Sequence, residues 1–148
     1  MPPRYVAVCG ASEATPSQLD AAREVGKLLA RSGAVVINGG YGGVMAAASE
    51  GAASEGGTVV GILPESDRVG ANPHLTVSIP TGLGQARNAV IVTAADSVIA
   101  IGGGWGTLSE IALARRLGRS VFAIDTWDLD GLEVVKTPGE AVQRALEA

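Results

Sequence analysis

Short apolar runs bounded by glycine alternate along this chain with longer stretches in which apolar positions recur at helical spacing. The short runs have the length of buried strands and the longer ones the period of amphipathic helices, so the pattern predicts βα units on a parallel sheet. Tyr5–Cys9 reads as the first strand. A helix follows from Pro16 to Ser32, with Thr15 as N-cap, Pro16 at its first position and Gln18 completing a capping box. Leu19, Ala22, Val25, Leu28 and Leu29 form its buried stripe, and Gly33 ends it.

The same alternation continues to the end. Ala34–Ile37 is a second strand, "NGGYGG" a loop, Val44–Glu55 an alanine-rich helix closed by Gly56-Gly57, and Thr58–Ile62 a third strand. Leu63–Pro73, with its prolines, glycine and mixed charges, reads as a surface loop over one rim. Leu75–Ile79 is a short fourth strand, and "PTGLGQARNAVIVTAA" passes through glycines into a helix ending near Ala95. Ser97–Ile101 is the fifth strand, Thr107–Leu117 a helix, Val121–Ile124 the sixth strand and "DTWDLDG" a loop; a last helix starts at Thr137, with Pro138 and Glu140 in its capping sequence. The expected fold is α/β, one doubly wound Rossmann-like domain over residues 1–148, with a mainly parallel six- or seven-stranded sheet ordered 3-2-1-4-5-6.

Composition narrows the function classes. With 47% apolar and 18% charged residues over 148 positions, the chain can bury a substantial core and is not a disordered segment. Aromatic residues are only 3% while glycine and alanine abound, which points to close packing through small side chains. A formal net charge of −4 disfavours nucleic acid as partner, since phosphate backbones require clustered Lys and Arg. No apolar run reaches the ~18 residues of a membrane span, and the N-terminus lacks a secretory pattern. The lone Cys9 leaves no internal disulfide, so a cytoplasmic protein with neither membrane nor nucleic-acid partner is expected. One cysteine and one histidine, His74, also make a metal site unexpected.

In a doubly wound sheet ligands bind at the carboxyl edge, where the strand order reverses. Four βα loops there carry unusual freedom: "CGAS", "NGGYGG", "TGLGQAR" and "GGGWGT". Glycines let backbone N–H groups approach a ligand, and a helix beginning there adds unsatisfied donors and partial positive charge, which suits an anion. The dinucleotide fingerprint is incomplete, with Asn38 where an acid would hold ribose, and no Walker sequence occurs. Lys27 and Lys136 are the only lysines and neither lies on such a loop, which disfavours pyridoxal phosphate.

Arg87 stands out as a cation in the first turn of a helix, against the macrodipole, which fits either an anionic partner or a solvated surface arginine. Glu110 follows Thr107 at the spacing of a capping box, a structural role that competes with a chemical one. Ser12 can donate to phosphate or cap its turn, Asn88 can read a base or sugar or face water, and Trp105 can cover a ring or pack at a subunit contact.

The segments "CGAS", "NGGYGGVMAAASEGA", "GGTVVGILP", "ARN" and above all "GGGWGTLSE" resemble the superfamily of the LONELY GUY phosphoribohydrolases and the molybdenum-cofactor carrier proteins, whose members have often been labelled lysine decarboxylase-like. The likeness runs from the first strand to about Ile124. In the hydrolase branch it implies that Gly103, Gly104, Gly106 and Thr107 hold a 5′-phosphate while Arg87 and Glu110 serve cleavage of an N-glycosidic bond. Gly102 stands where that branch has proline, Asn88 where it has lysine, and Gly84-Gln85 replace the start of its arginine motif. The triple glycine is more like the carrier branch, which implies a binding protein for a nucleoside monophosphate or a molybdopterin-type ligand, with no other cofactor required. The expected binding set is Gly10, Ser12, Gly39, Gly40, Gly42, Gly43, Asn88, Gly102, Gly103, Gly104, Gly106 and Thr107, around Arg87 and Glu110. The resemblance also implies a homodimer or larger homo-oligomer.

Overall fold

The structure, a computed structural model, describes residues 2–148. Its strands are β1 (Tyr5–Gly10), β2 (Val35–Asn38), β3 (Val59–Leu63), β4 (Val77–Pro80), β5 (Ser97–Ile101), β6 (Val121–Ile124) and β7 (Glu133–Val134). Its helices are α1 (Pro16–Arg31), α2 (Val44–Ser54), α3 (Arg87–Ala94), α4 (Trp105–Arg116) and α5 (Pro138–Glu147). All seven strands are parallel, in the order β4-β3-β2-β1-β5-β6-β7.

Alternation along β1 sorts the two layers. Val6 and Val8 face a core shared with α1, α2 and α5, whereas Ala7 and Cys9 face the core under α3 and α4. Helices α1 and α2 meet through glycine: a Cβ on Gly26 would fall 2.0 Å from the Ala48 carbonyl oxygen, and one on Gly51 would fall 2.0 Å from that of Arg23. The abundance of small residues thus has a packing reason.

The strand order departs from the expected 3-2-1-4-5-6 at one place. β4 lies outside β3 at the sheet edge, and β5 takes the position beside β1. Burial explains the exchange. Ser97–Ile101 is buried throughout, as a central parallel strand must be. Val77 and Ile79 on β4 are exposed, and Pro80 can sit there because an edge strand needs no full ladder. The helix-free connection between β3 and β4 keeps the two strands side by side.

The reversal of direction therefore falls between β1 and β5. Their following helices, α1 and α4, leave on opposite faces of the sheet, which opens a crevice above the strand ends.

Candidate functional site

That crevice is a cleft of about 560 Å³. Its lining comes from the β1–α1 loop (Gly10, Ala11, Ser12), the β2–α2 loop (Gly39, Tyr41) with Met45, the approach and start of α3 (Gln85, Arg87, Asn88), and the first turns of α4.

Helix α4 starts at Trp105, two residues before the expected Thr107, with Gly104 as N-cap and no side chain capping it. The first backbone N–H groups of a helix have no intrahelical acceptor, so this end offers donors and a partial positive charge to the cleft. Gly104 and Gly106 have open space where a side chain would stand. Thr107, buried in the third helical position, lines the cleft with them. Because the helix begins earlier, Thr107 is not an N-cap, and the capping box weighed for Glu110 does not form.

Arg87 opens α3 and is only 7% exposed. One of its terminal nitrogens donates to Asn88 Oδ1, while Nε is buried without a partner. Gly39 makes room for the guanidinium, since a Cβ there would sit 2.8 Å from Nη2. Asn88 is held in turn by donating to Ser109 Oγ at 2.9 Å, and that hydroxyl donates to the Gly106 carbonyl at 2.8 Å. Among the described residues the five ion pairs all involve other arginines. A buried guanidinium with no carboxylate in ion-pair contact is costly unless something else supplies the countercharge.

Glu110 is 8% exposed and lies against the Cys9 thiol, within reach of Arg87's charge. Burial pushes its pKa up to about 7, partly offset by hydrogen bonding from Cys9 and by the positive field of Arg87. The Cys9 thiol is raised well above its ordinary value, first by its own burial and then by the neighbouring carboxyl. Near neutral pH the site thus holds a fixed cation, a carboxyl balanced between its two forms and a protonated thiol.

Of the expected binding residues, Gly10, Ser12, Gly39, Asn88, Gly104, Gly106 and Thr107 line this cleft together with Arg87 and Glu110. Five others do not. Gly102 packs on Gln18, and a Cβ on Gly103 would strike Thr107 at 2.5 Å; both line a neighbouring recess with Asp125 and Trp127. At Gly40, with φ of 82°, a Cβ would meet Leu63 at 2.3 Å, and at Gly43 it would meet the Ala11 carbonyl oxygen at 2.2 Å. These two glycines pack the protein against itself, and Gly42 points to open space outside the lining. Asn38 is turned inward: it donates to Ser49 Oγ (2.9 Å) and the Met45 carbonyl (3.3 Å) and accepts from Gly40 N–H (2.8 Å), so it braces the loop.

Sequence reasoning missed Ala11, Tyr41, Met45, Gln85 and Ser109 as lining. Tyr41, set among four glycines on a ligand-side loop, carried a usable signal. Ser109 carried none, because its role depends on α3 and α4 lying side by side.

The model of the SLOG cluster4 family matches residues 3–146. The chain belongs to that family. A molybdenum cofactor binding protein from Rippkaea orientalis superposes on this SLOG protein with a TM-score of 0.94, at 34% identity, over 99% of this chain and 98% of the other. The molybdenum cofactor carrier protein of Chlamydomonas reinhardtii gives a TM-score of 0.85 at 29% identity, over 99% and 98% of the two chains. In sequence, a probable cytokinin riboside 5′-monophosphate phosphoribohydrolase of Oryza sativa subsp. japonica, LOGL9, is 34% identical over 112 residues, which are 73% of this chain and 49% of the rice protein. Among the described residues no helix is long and apolar enough to cross a membrane.

Proposed function

We propose that this SLOG protein binds and carries a phosphorylated, ring-bearing small molecule of the pterin or nucleotide kind. The observation that carries this reading is Arg87, a buried guanidinium without a carboxylate partner, beside the uncapped start of α4. In the proposal the ligand's phosphate accepts from the N–H groups around Gly104, Gly106 and Thr107 and balances Arg87. Ser12 and Asn88 complete its polar surroundings, and Gly39 leaves room for the guanidinium. The likeness to the cofactor-binding proteins of Rippkaea and Chlamydomonas supports a molybdopterin-type cargo.

The alternative is hydrolysis of a nucleoside 5′-monophosphate, favoured by Glu110 beside Arg87 and by the likeness to the rice enzyme. Stabilising positive character at a sugar calls for the ionised carboxylate. A carboxyl with a pKa of about 7, in a site that also takes up an anion, is drawn toward its neutral form, where it donates a hydrogen bond instead. That neutral form also suits a general acid, so the choice rests on coverage: likeness to the cofactor-binding proteins over nearly the whole of both chains, against a match to half of the rice protein, favours carriage over cleavage.

Incubation with AMP separates the two readings. Carriage predicts that AMP or 6-hydroxymethylpterin phosphate raises stability, by ~2.7 kcal/mol at a hundredfold excess over Kd, and that AMP releases neither adenine nor ribose 5-phosphate. Turnover that is abolished by Glu110→Gln with the fold intact establishes the hydrolase instead.

A further inference from the structure

The chain has two tryptophans, and they meet where the cleft adjoins the neighbouring recess, Trp105 lining the first and Trp127 the second. Their ring centroids are 5.4 Å apart with the planes inclined by 40°. Trp127, on the β6–β7 connection, is half-buried and donates its indole N–H to the Gly104 carbonyl at 3.2 Å. It is thereby tied to the loop that starts α4. Trp105, the first residue of that helix, rests against Trp127, lines the cleft and is 79% exposed.

We propose that Trp105, backed by Trp127, is the stacking platform for the ring system of the ligand, so that the site takes a planar heterocycle joined to a phosphate and discriminates against a bare sugar phosphate. This rests on the reading of the cleft as a phosphate site. Three features carry it. The indole stands on the same helical turn as the free N–H groups, flanked by Gly104 and Gly106, so no side chain separates a phosphate there from a ring on the indole. Its contact with Trp127 holds it before a ligand arrives, which lowers the ordering cost of binding. A large aromatic surface is left open beside an otherwise polar anion seat, and ring-on-ring stacking is tolerant of which heterocycle lies on it.

Because one tryptophan lines the cleft and the other touches it, intrinsic fluorescence reports on the platform directly. The probes are AMP, 6-hydroxymethylpterin phosphate and ribose 5-phosphate, each titrated by fluorescence and by calorimetry into the native chain and into Trp105→Ala and Trp105→Phe. At least one ring-bearing phosphate quenches the native emission, whereas ribose 5-phosphate binds more weakly and leaves it unchanged. Trp105→Ala weakens the ring-bearing ligands by roughly 5- to 100-fold and ribose 5-phosphate by less than about twofold, and Trp105→Phe restores most of the loss. The platform is overturned if Trp105→Ala weakens every probe equally or none. It is also overturned if the substitution changes only the oligomeric mass in light scattering, which would make Trp105 a contact between copies. If ribose 5-phosphate binds as tightly as the ring-bearing probes, the platform alone fails. If the native chain binds no probe, the phosphate site fails with it.

Discussion

Thr15 and Thr107 begin the same spacing, Thr-x-x-Gln at 15–18 and Thr-x-x-Glu at 107–110, after adjacent strands of one sheet. At the first, side chains close the helix on itself: Gln18 N–H donates to Thr15 Oγ1 at 3.2 Å and Thr15 N–H donates to Gln18 Oε1 at 3.1 Å. At the second, the glycines let the helix begin at Trp105, so the threonine sits inside it and the glutamate is buried beside Cys9 and Arg87. One junction is capped by its own side chains, and the other has no side-chain cap. A capping sequence therefore identifies a finished helix end only when the residues before it cannot start the helix sooner.

The sharpest way to break this contrast is to remove Arg87. Arg87→Met should weaken AMP or a phosphorylated pterin by between about 30-fold and several thousandfold, the usual loss when one partner of a buried charged contact goes. The ligand-free variant should nonetheless lose no more than about 2 kcal/mol, because removing a buried charge that no carboxylate pairs offsets the loss of its hydrogen bond to Asn88 Oδ1. Urea unfolding without ligand checks this; a large loss of stability would mean that Arg87 is structural.

Glu110 supplies the next effect. Its carboxyl holds a proton up to about pH 7 in the folded chain and releases it near the ordinary 4.5 when unfolded. Between those values the folded state binds the extra proton, so stability is fully present below the lower value and falls as pH rises through the upper one, by ~3 kcal/mol in all. Glu110→Gln should flatten that decline in urea midpoints measured from pH 4.5 to 8. Anion affinity should likewise weaken above pH 7 in the native chain and less so in the variant.

Substitution of the two threonines reads the comparison directly. Thr15→Val should lower stability by about 1 kcal/mol and leave ligand affinity unchanged, as the loss of a side-chain cap does. Thr107→Val should do the reverse, sparing the helix end and weakening the phosphate-bearing ligand. Smallest of all, Arg23→Ala should change stability by less than about 1 kcal/mol and affinity not at all, because its ion pairs with Asp20 and Glu50 are solvent-exposed.

Most of the scaffold was legible in the chain. Thr15, Pro16 and Gln18 marked α1 correctly, and the buried run Ser97–Ile101 carried the signature of a central strand. The position of the fourth strand was lost because neither register nor neighbour is written in "VSIP", whose exposed Val77 and Ile79 declare an edge only once the partner is known. The candidate site was legible as a set of loops but not residue by residue. Gly39 and Gly104 read alike from the chain as Gly40 and Gly43, and only the atoms around each distinguish a wall of the cleft from an internal contact. Ser109 reaches Asn88 across two helices, a relation with no local trace.

The central claim is that Arg87 and the open end of α4 hold a phosphate. It is tested most directly by a calorimetric cycle of AMP against adenosine, and 6-hydroxymethylpterin phosphate against 6-hydroxymethylpterin, on the native chain and Arg87→Met. The account predicts that at least one phosphorylated compound binds the native chain far more tightly than its dephosphorylated counterpart, and that Arg87→Met removes most of that difference. Equal affinity with and without the phosphate on the native chain, or a phosphate preference untouched by Arg87→Met, would contradict it.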